Sequence, residues 1–227
     1  MHLRAITLAV LAAASFQTQA DTVALWDYTA GTTKQTQSAN GASFAALGGI
    51  TISPTATGVS GSALSTTTYA AQGTGDLSRG VQYLVDTSGY TDLVLTFAQR
   101  NSATASAWTT LLYTLDGSTW TAGTIFQMPA AASTTFVSGL NFSFASITGA
   151  NDNANFGFQL LASFAPGTSA YAATGATSSY GTAGTIRYDN VLLSGNPIPD
   201  AVPEPGTYAL LLAGLGLVGL IARRRAR

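Results

Sequence analysis

Leu93-Val94-Leu95-Thr96-Phe97-Ala98 carries a large apolar side chain at every second position. The same period recurs three times. Leu111, Tyr113 and Leu115 alternate with Leu112 and Thr114; Phe156, Phe158 and Leu160 alternate with Gly157, Gln159 and Leu161; Ile186 and Tyr188 alternate with Arg187 and Asp189. A two-residue period sends successive side chains to opposite faces, so these segments are strands with one face on a core. Between residues 21 and 196 no stretch sustains a 3.6-residue stripe, and its Thr, Ser and Gly content works against helix. Asp116-Gly117, between 111–115 and 119–121, marks a hairpin turn because Gly accepts the positive φ such turns require. Turn residues recur at 48–49, 73–76, 88–89, 149–153 and 181–184, and residues 170–184 form a low-complexity stretch that reads as a long loop. Short strands at this spacing predict an all-β domain over 21–196, an antiparallel β-sandwich of jelly-roll type. A domain of that size buries roughly 70% of its unfolded surface, enough to fold without disulfides.

Composition narrows the chemistry. Of 227 residues, 46% are hydrophobic and 8% charged, against about 25% charged in an ordinary soluble domain. That argues against a solvated cytoplasmic enzyme, and the apolar content argues against disorder. There is no Cys, and the single His is His2. Thiol nucleophiles, Ser-His-Asp triads and His- or Cys-bound zinc are therefore excluded once the N-terminus is removed. Between 21 and 200 the basic residues are Lys34, Arg79, Arg100 and Arg187, against nine aspartates, so this body carries −5 while the whole chain sums to −1. Such a body has no electrostatic footprint for nucleic acid.

Both ends read as addresses. Met1-His-Leu-Arg4, an apolar run over 5–14 and a small, polar stretch ending at Ala20 form a secretory signal peptide over 1–20, with cleavage leaving Asp21 first. At the other end Pro197, Pro199, Pro203 and Pro205 are four of the chain's seven prolines, which predicts an extended linker over 197–205. Residues 206–222 are apolar apart from Thr207 and are expected to form a transmembrane helix of about 25 Å, slightly under the roughly 30 Å hydrocarbon core. Arg223, Arg224, Arg225 and Arg227 (tail 223–227) act as a stop-transfer signal and stay in the cytoplasm, with the body across the membrane.

Val202-Pro203-Glu204-Pro205, the apolar run and the terminal arginines together resemble a PEP-CTERM sorting signal. The resemblance implies that an exosortase, a membrane transpeptidase, recognises Pro203-Glu204-Pro205 and removes the tail as the protein passes to the outer surface of a Gram-negative cell. It implies an inner-membrane-anchored precursor with a cytoplasmic C-terminus, then a place on the outer surface or in the extracellular matrix. Implied partners are the exosortase and secretion machinery, the inner membrane transiently, and exopolysaccharide, in biofilm or floc formation. The hairpin Tyr113-x-x-Asp116-Gly-x-x-Trp120 and the segment 187–195 are similar to extracellular jelly-roll modules of carbohydrate-binding type, a similarity that carries no binding residues with it.

Within the body, glycoside hydrolysis is the enzymatic chemistry left, since it runs on two carboxylates. The body supplies only Asp, mostly beside Gly, Ser, Asn or Thr, where Asp supports turns, so no catalysis is expected. Asp27 near the first strand and Asp189 in the last offer hard oxygen ligands for Ca²⁺; turn support explains the same two residues without a cation. Trp108, after the polar stretch 101–106, and Trp120, after a turn, are the tryptophans available for stacking on a sugar, although core burial is the usual fate of an indole. Trp26, on an apolar strand, reads as core. The expected role is a non-catalytic exported surface or matrix protein associated with exopolysaccharide. The alternatives are a dedicated carbohydrate-binding module with a defined glycan site and, after it, a glycoside hydrolase.

Overall fold

The alternation is realised as strands in a computed structural model that describes residues 19–199 and 205–225. The chain divides into two compact units, Met1–Pro197 and Ile198–Arg227. The first contains β1 (Asp21–Trp26), β2 (Gln37–Ser38), β3 (Ala42–Leu47), β4 (Thr51–Thr57), β5 (Ser62–Thr67), β6 (Gly80–Val85), β7 (Tyr90–Asn101), β8 (Trp108–Thr114), β9 (Thr121–Gln127), β10 (Val137–Ser143), β11 (Phe156–Ala162) and β12 (Ile186–Pro197). They make two antiparallel sheets in a sandwich. The first has the order β10-β7-β12-β1-β2, with β5 also on β12 and β4 on β5; the second runs β3-β6-β11-β8-β9. β12 is the spine of the first sheet: β7 lines one edge, while β5 and β1 share the other.

Between the sheets lie Trp26, Tyr83, Phe97, Leu111, Phe158 and Tyr188, all buried. Tyr83 meets Trp26 edge-on at 4.6 Å and stacks on Phe158 at 4.8 Å. In β12 the register shifts between Asp189 and Leu192, and Asn190 takes φ +48°. The shift lets Ile186 and Tyr188 before it, and Val191 and Leu193 after it, all face the core. A strict two-residue period would instead have turned Asn190, Leu192 and Ser194 inward.

The hairpin at Asp116-Gly117 forms as expected, although β9 starts at Thr121 rather than 119. Asp116 Oδ1 accepts the N–H groups of Ser118 at 2.8 Å and Thr119 at 2.6 Å, and Gly117 sits at φ +78°. The stretch read as a low-complexity loop is fastened rather than loose. Tyr171 is buried and stacked on Tyr180 at 4.4 Å, and its hydroxyl donates to the Gly75 carbonyl at 2.7 Å. The Gln72 amide pairs with both the N–H and the carbonyl of Tyr171, each at 2.8 Å, as a neighbouring strand would.

The second unit contains α1 (Pro205–Arg225), apolar around its whole circumference until Arg223–Arg225. The expectation of a transmembrane helix over 206–222 is corrected here: among the described residues no helix is long and apolar enough to cross a membrane. The uninterrupted apolar run is only 208–222, about 22 Å at 1.5 Å per residue, well short of roughly 30 Å. Residues 1–18 of the expected signal peptide, residues 200–204 of the linker with Pro203 and Glu204, and Arg227 lie outside the described residues.

Candidate functional site

The outer face of the second sheet carries a groove. Thr109 points into the sandwich, where its hydroxyl accepts the Gln99 side-chain amide at 2.9 Å. The pleat therefore sends Trp108 and Thr110 outward. Thr110 on β8, Gly123 and Ile125 on β9, and Ser163 at the end of β11 form the floor of a groove of about 400 Å³; Asp76 and Leu77 form one wall, and Phe164 and Thr168 the other. Gly167, at φ +76°, turns the second wall back on itself, so that the Thr168 N–H and hydroxyl both reach the Ala165 carbonyl. Asp76 Oδ1 accepts the Phe164 N–H at 2.8 Å and ties one wall to the other.

The groove is chemically mixed. Leu77 is 37% and Ile125 47% exposed, apolar side chains that the protein leaves uncovered. Ser163 is only 4% exposed, and its hydroxyl has no hydrogen-bond partner among the described residues. A buried hydroxyl without a partner costs about 1–3 kcal/mol, a cost that a ligand hydroxyl in the groove would remove. Apolar walls with a few convergent polar groups make a small-ligand site. Here the aliphatic and aromatic side chains suit one face of a sugar ring, while Ser163 and Asp76 suit its hydroxyls.

Trp108 and Trp120 are not brought together. Both are half-buried. Trp108 lies two positions before Thr110 on the same outer face, beside the groove rather than lining it. Trp120 lies beyond the hairpin turn, next to Thr121, which pairs with Tyr113; Tyr113 is already five strand positions from Trp108, roughly 17 Å, and Trp120 lies one position further. They cannot form one stacking platform.

Asp27 and Asp189 do approach each other, since Trp26 pairs with Val191 across β1 and β12. Asp189 is fully buried; Oδ2 accepts the Val59 N–H at 2.7 Å and Oδ1 the Asn190 N–H at 2.8 Å. Burial pushes its carboxyl above the ordinary value, against those N–H groups, and the charge of Asp27 adds to the rise. Asp27 is held below its ordinary value: burial opposes this, but the hydroxyl of Thr36 and the N–H and hydroxyl of Thr29 outweigh it. Gly58 is what lets the β4–β5 turn close on Asp189, because a Cβ there would sit 2.5 Å from Oδ2. No third His, Cys, Asp or Glu joins the pair among the described residues. Ca²⁺ takes six to eight oxygens, whereas the groups facing these carboxylates are N–H and O–H donors. That donor set fits a clasp holding the β4–β5 turn to β12.

Ala20 and Asp21 are exposed, with Asp21 opening β1 opposite Gly195. The groove residues Asp76, Leu77, Ser163 and Phe164 were missed in the sequence reading, which took 73–76 as a plain turn. The signal that was available is an apolar residue standing alone within a turn segment: Leu77 after Gly-Asp, and Phe164 ahead of Pro166-Gly167.

These features define a two-sheet antiparallel β-sandwich bearing a lateral groove of mixed polarity. Residues 201–226 match the PEP-CTERM protein-sorting motif, which marks the chain as an exported, membrane-anchored precursor. Among solved structures it is similar to the N-terminal CBM22-1–CBM22-2 tandem domain of Paenibacillus barcinonensis Xyn10C, with a TM-score of 0.48 and 16% identity, over 85% of this chain and 49% of that one. The chain thus spans about half the length of that structure. No curated protein sequence matches it.

Proposed function

We propose that the chain is a non-catalytic surface or matrix protein, sorted by an exosortase, whose sandwich associates with exopolysaccharide. The observation that carries this reading is the sorting motif at 201–226. In this scheme the first 20 residues are removed after Ala20, and the domain over 21–196 is exported. The apolar α1 with Arg223, Arg224, Arg225 and Arg227 holds the precursor at the inner membrane. The exosortase then acts at Pro203-Glu204-Pro205 in the linker, and the body is left on the outer surface or in the matrix of a Gram-negative cell. The acidic body and the thin acid–base inventory support a binding rather than a catalytic role.

Intact mass of the protein recovered from the cell surface tests the sorting. A species beginning at Asp21 and lacking the arginine tail is expected; a mass that retains the tail refutes the scheme. Co-sedimentation of the processed protein with the source cell's own exopolysaccharide tests the association. A second reading, a dedicated glycan-binding module with a defined site, is favoured by the unpartnered Ser163 hydroxyl in the groove. There Trp108 extends the apolar surface, and Trp120 is left for a separate contact.

A further inference from the structure

Two of the four basic residues between 21 and 200 stand directly opposite each other. Arg187 of β12 pairs in register with Arg100 of β7, which puts their Cβ atoms about 5 Å apart. Gln99, Asn101, Ile186 and Tyr188 are buried in the sandwich, so by the pleat both guanidinium groups lie on the outer face of the first sheet. Like charges in that position repel, and an acidic body could readily have paired each with an aspartate. Instead the hydrogen bond made by the Arg187 guanidinium goes to the Thr57 carbonyl at 3.3 Å. Burial and then the charge of Arg100 lower the Arg187 pKa, with no carboxylate among the causes.

The surroundings continue the pattern. Arg187 also pairs with Ser65 of β5, and Ser65 with Ser53 of β4, so one row across four strands reads Ser53, Ser65, Arg187, Arg100. At about 4.8 Å per strand the row is roughly 14 Å long. At its arginine end lies a pocket of about 190 Å³, lined by the two arginines with Ser102, Ser133 and Thr185. Two adjacent forked donors flanked by hydroxyls match a carboxylate carried on a hydroxylated chain.

We propose that Arg100 and Arg187 bind the carboxylate of a uronate-type acidic polysaccharide laid across the outer face of the first sheet. This rests on the exopolysaccharide reading above but concerns a different face from the groove. The test titrates the full-length chain, in detergent, with polygalacturonate, with neutral dextran and with free galacturonate. Polygalacturonate is expected to bind, more weakly as salt rises, with affinity falling about tenfold in Arg100→Gln and again in Arg100→Gln/Arg187→Gln, while dextran binding does not change between variants. Arg100→Lys, which keeps the charge but loses the fork, should fall between wild type and Arg100→Gln. Melting temperatures of the Gln variants should equal or exceed wild type, because a like-charge pair has been relieved; a large drop would make the pair structural and overturn the site. Equal polygalacturonate binding by the double variant, or none by wild type, also overturns it. Loss of this inference alone shows as dextran or native exopolysaccharide binding without polygalacturonate binding. Free galacturonate bound as tightly as the polymer refutes the polysaccharide assignment.

Discussion

Tyr28 and Tyr83 offer a clean test of how the sandwich is held. Both are fully buried, and their hydroxyls meet at 2.7 Å. Burial drives both phenols far above their ordinary value of 10.0, so the bond joins two neutral groups. Tyr83→Phe removes one hydroxyl and leaves the ring against Trp26, Phe44 and Phe158 in place. The Tyr28 hydroxyl then loses its partner in a dry core, at a cost of about 1–3 kcal/mol. Tyr28→Phe should cost a similar amount. In the double variant both polar groups are gone, and a matched apolar replacement is close to neutral, so the coupling between the two sites should reach about 2 kcal/mol or more. For a domain of this size each kcal/mol shifts the melting temperature by about 2–4 °C. Each single variant should therefore melt about 2–12 °C lower, with most of the loss recovered in the double. Thermal unfolding followed by near-ultraviolet circular dichroism reads this directly. Single variants that melt with wild type, or a double variant whose loss equals the sum of the two, would refute the reasoning.

Three further outcomes are expected. Asp189→Ala strips the acceptor from the Val59 and Asn190 N–H groups and should lower stability by about 1–3 kcal/mol, while EDTA leaves the wild-type melting temperature unchanged; if EDTA alone reproduces the loss, Asp27 and Asp189 are calcium ligands. Acid should destabilise the fold. Asp116 is held down by the N–H and hydroxyl of Thr119, Asp86 by the hydroxyl and N–H of Ser88, and Asp27 against burial by Thr36 and Thr29, so all three support stability above 3.8 and lose it as pH falls through their lower folded values. Asp189 has the opposite sign, its contribution being complete below 3.8 and lost as pH rises through its raised value. Three against one makes the melting temperature fall in acid, and Asp116→Asn should flatten that limb; a melting temperature that climbs steadily toward pH 3 contradicts this. In the groove, Ser163→Ala removes an unpartnered buried hydroxyl and should leave stability equal or higher while weakening retention on the native exopolysaccharide; a loss of stability with unchanged retention makes Ser163 a packing residue.

What could be read in advance divides by physical cause. Strands with one face in the core announce themselves, as at 93–98 and 156–161, because burial imposes a period of two. β4 alternates too, with Ile52, Pro54 and Ala56 half-buried between exposed Thr and Ser, but two of its three inward residues are Pro and Ala, and a Pro within a run argues against a strand. The bulge at Asp189–Asn190 breaks the period in β12, and the alternation read there stopped at Asp189 for that reason. The acceptor role of Asp189 depends on the turn at 58–60, far away in sequence. Arg100 and Arg187 were visible as scattered charges only, because their juxtaposition is a matter of register between β7 and β12. The groove is assembled from 76–77, 110–125 and 163–168, and no local pattern links three segments so far apart.

The absence of cysteine gives the hydroxyl- and amide-rich composition a structural meaning. Exported domains often fix their loops with disulfides, and this chain has none to form. Its loops are fixed instead by side chains that bond to distant backbone. The Gln72 amide brackets Tyr171, the Thr87 hydroxyl donates to the Ala150 carbonyl at 2.8 Å, and the Asn153 amide reaches the Leu115 carbonyl at 2.9 Å and that of Gly149 at 2.7 Å. Asp76 does the same between the two walls of the groove. Each bond contributes only about 0.5–1.5 kcal/mol, yet together they leave a wall such as 163–168 little freedom to lose when a ligand arrives, which is how preorganisation improves affinity. Such fastening is indifferent to redox conditions outside the cell. It also keeps charge off the surface, so that the arginine pair on the first sheet stands nearly alone in an otherwise acidic field.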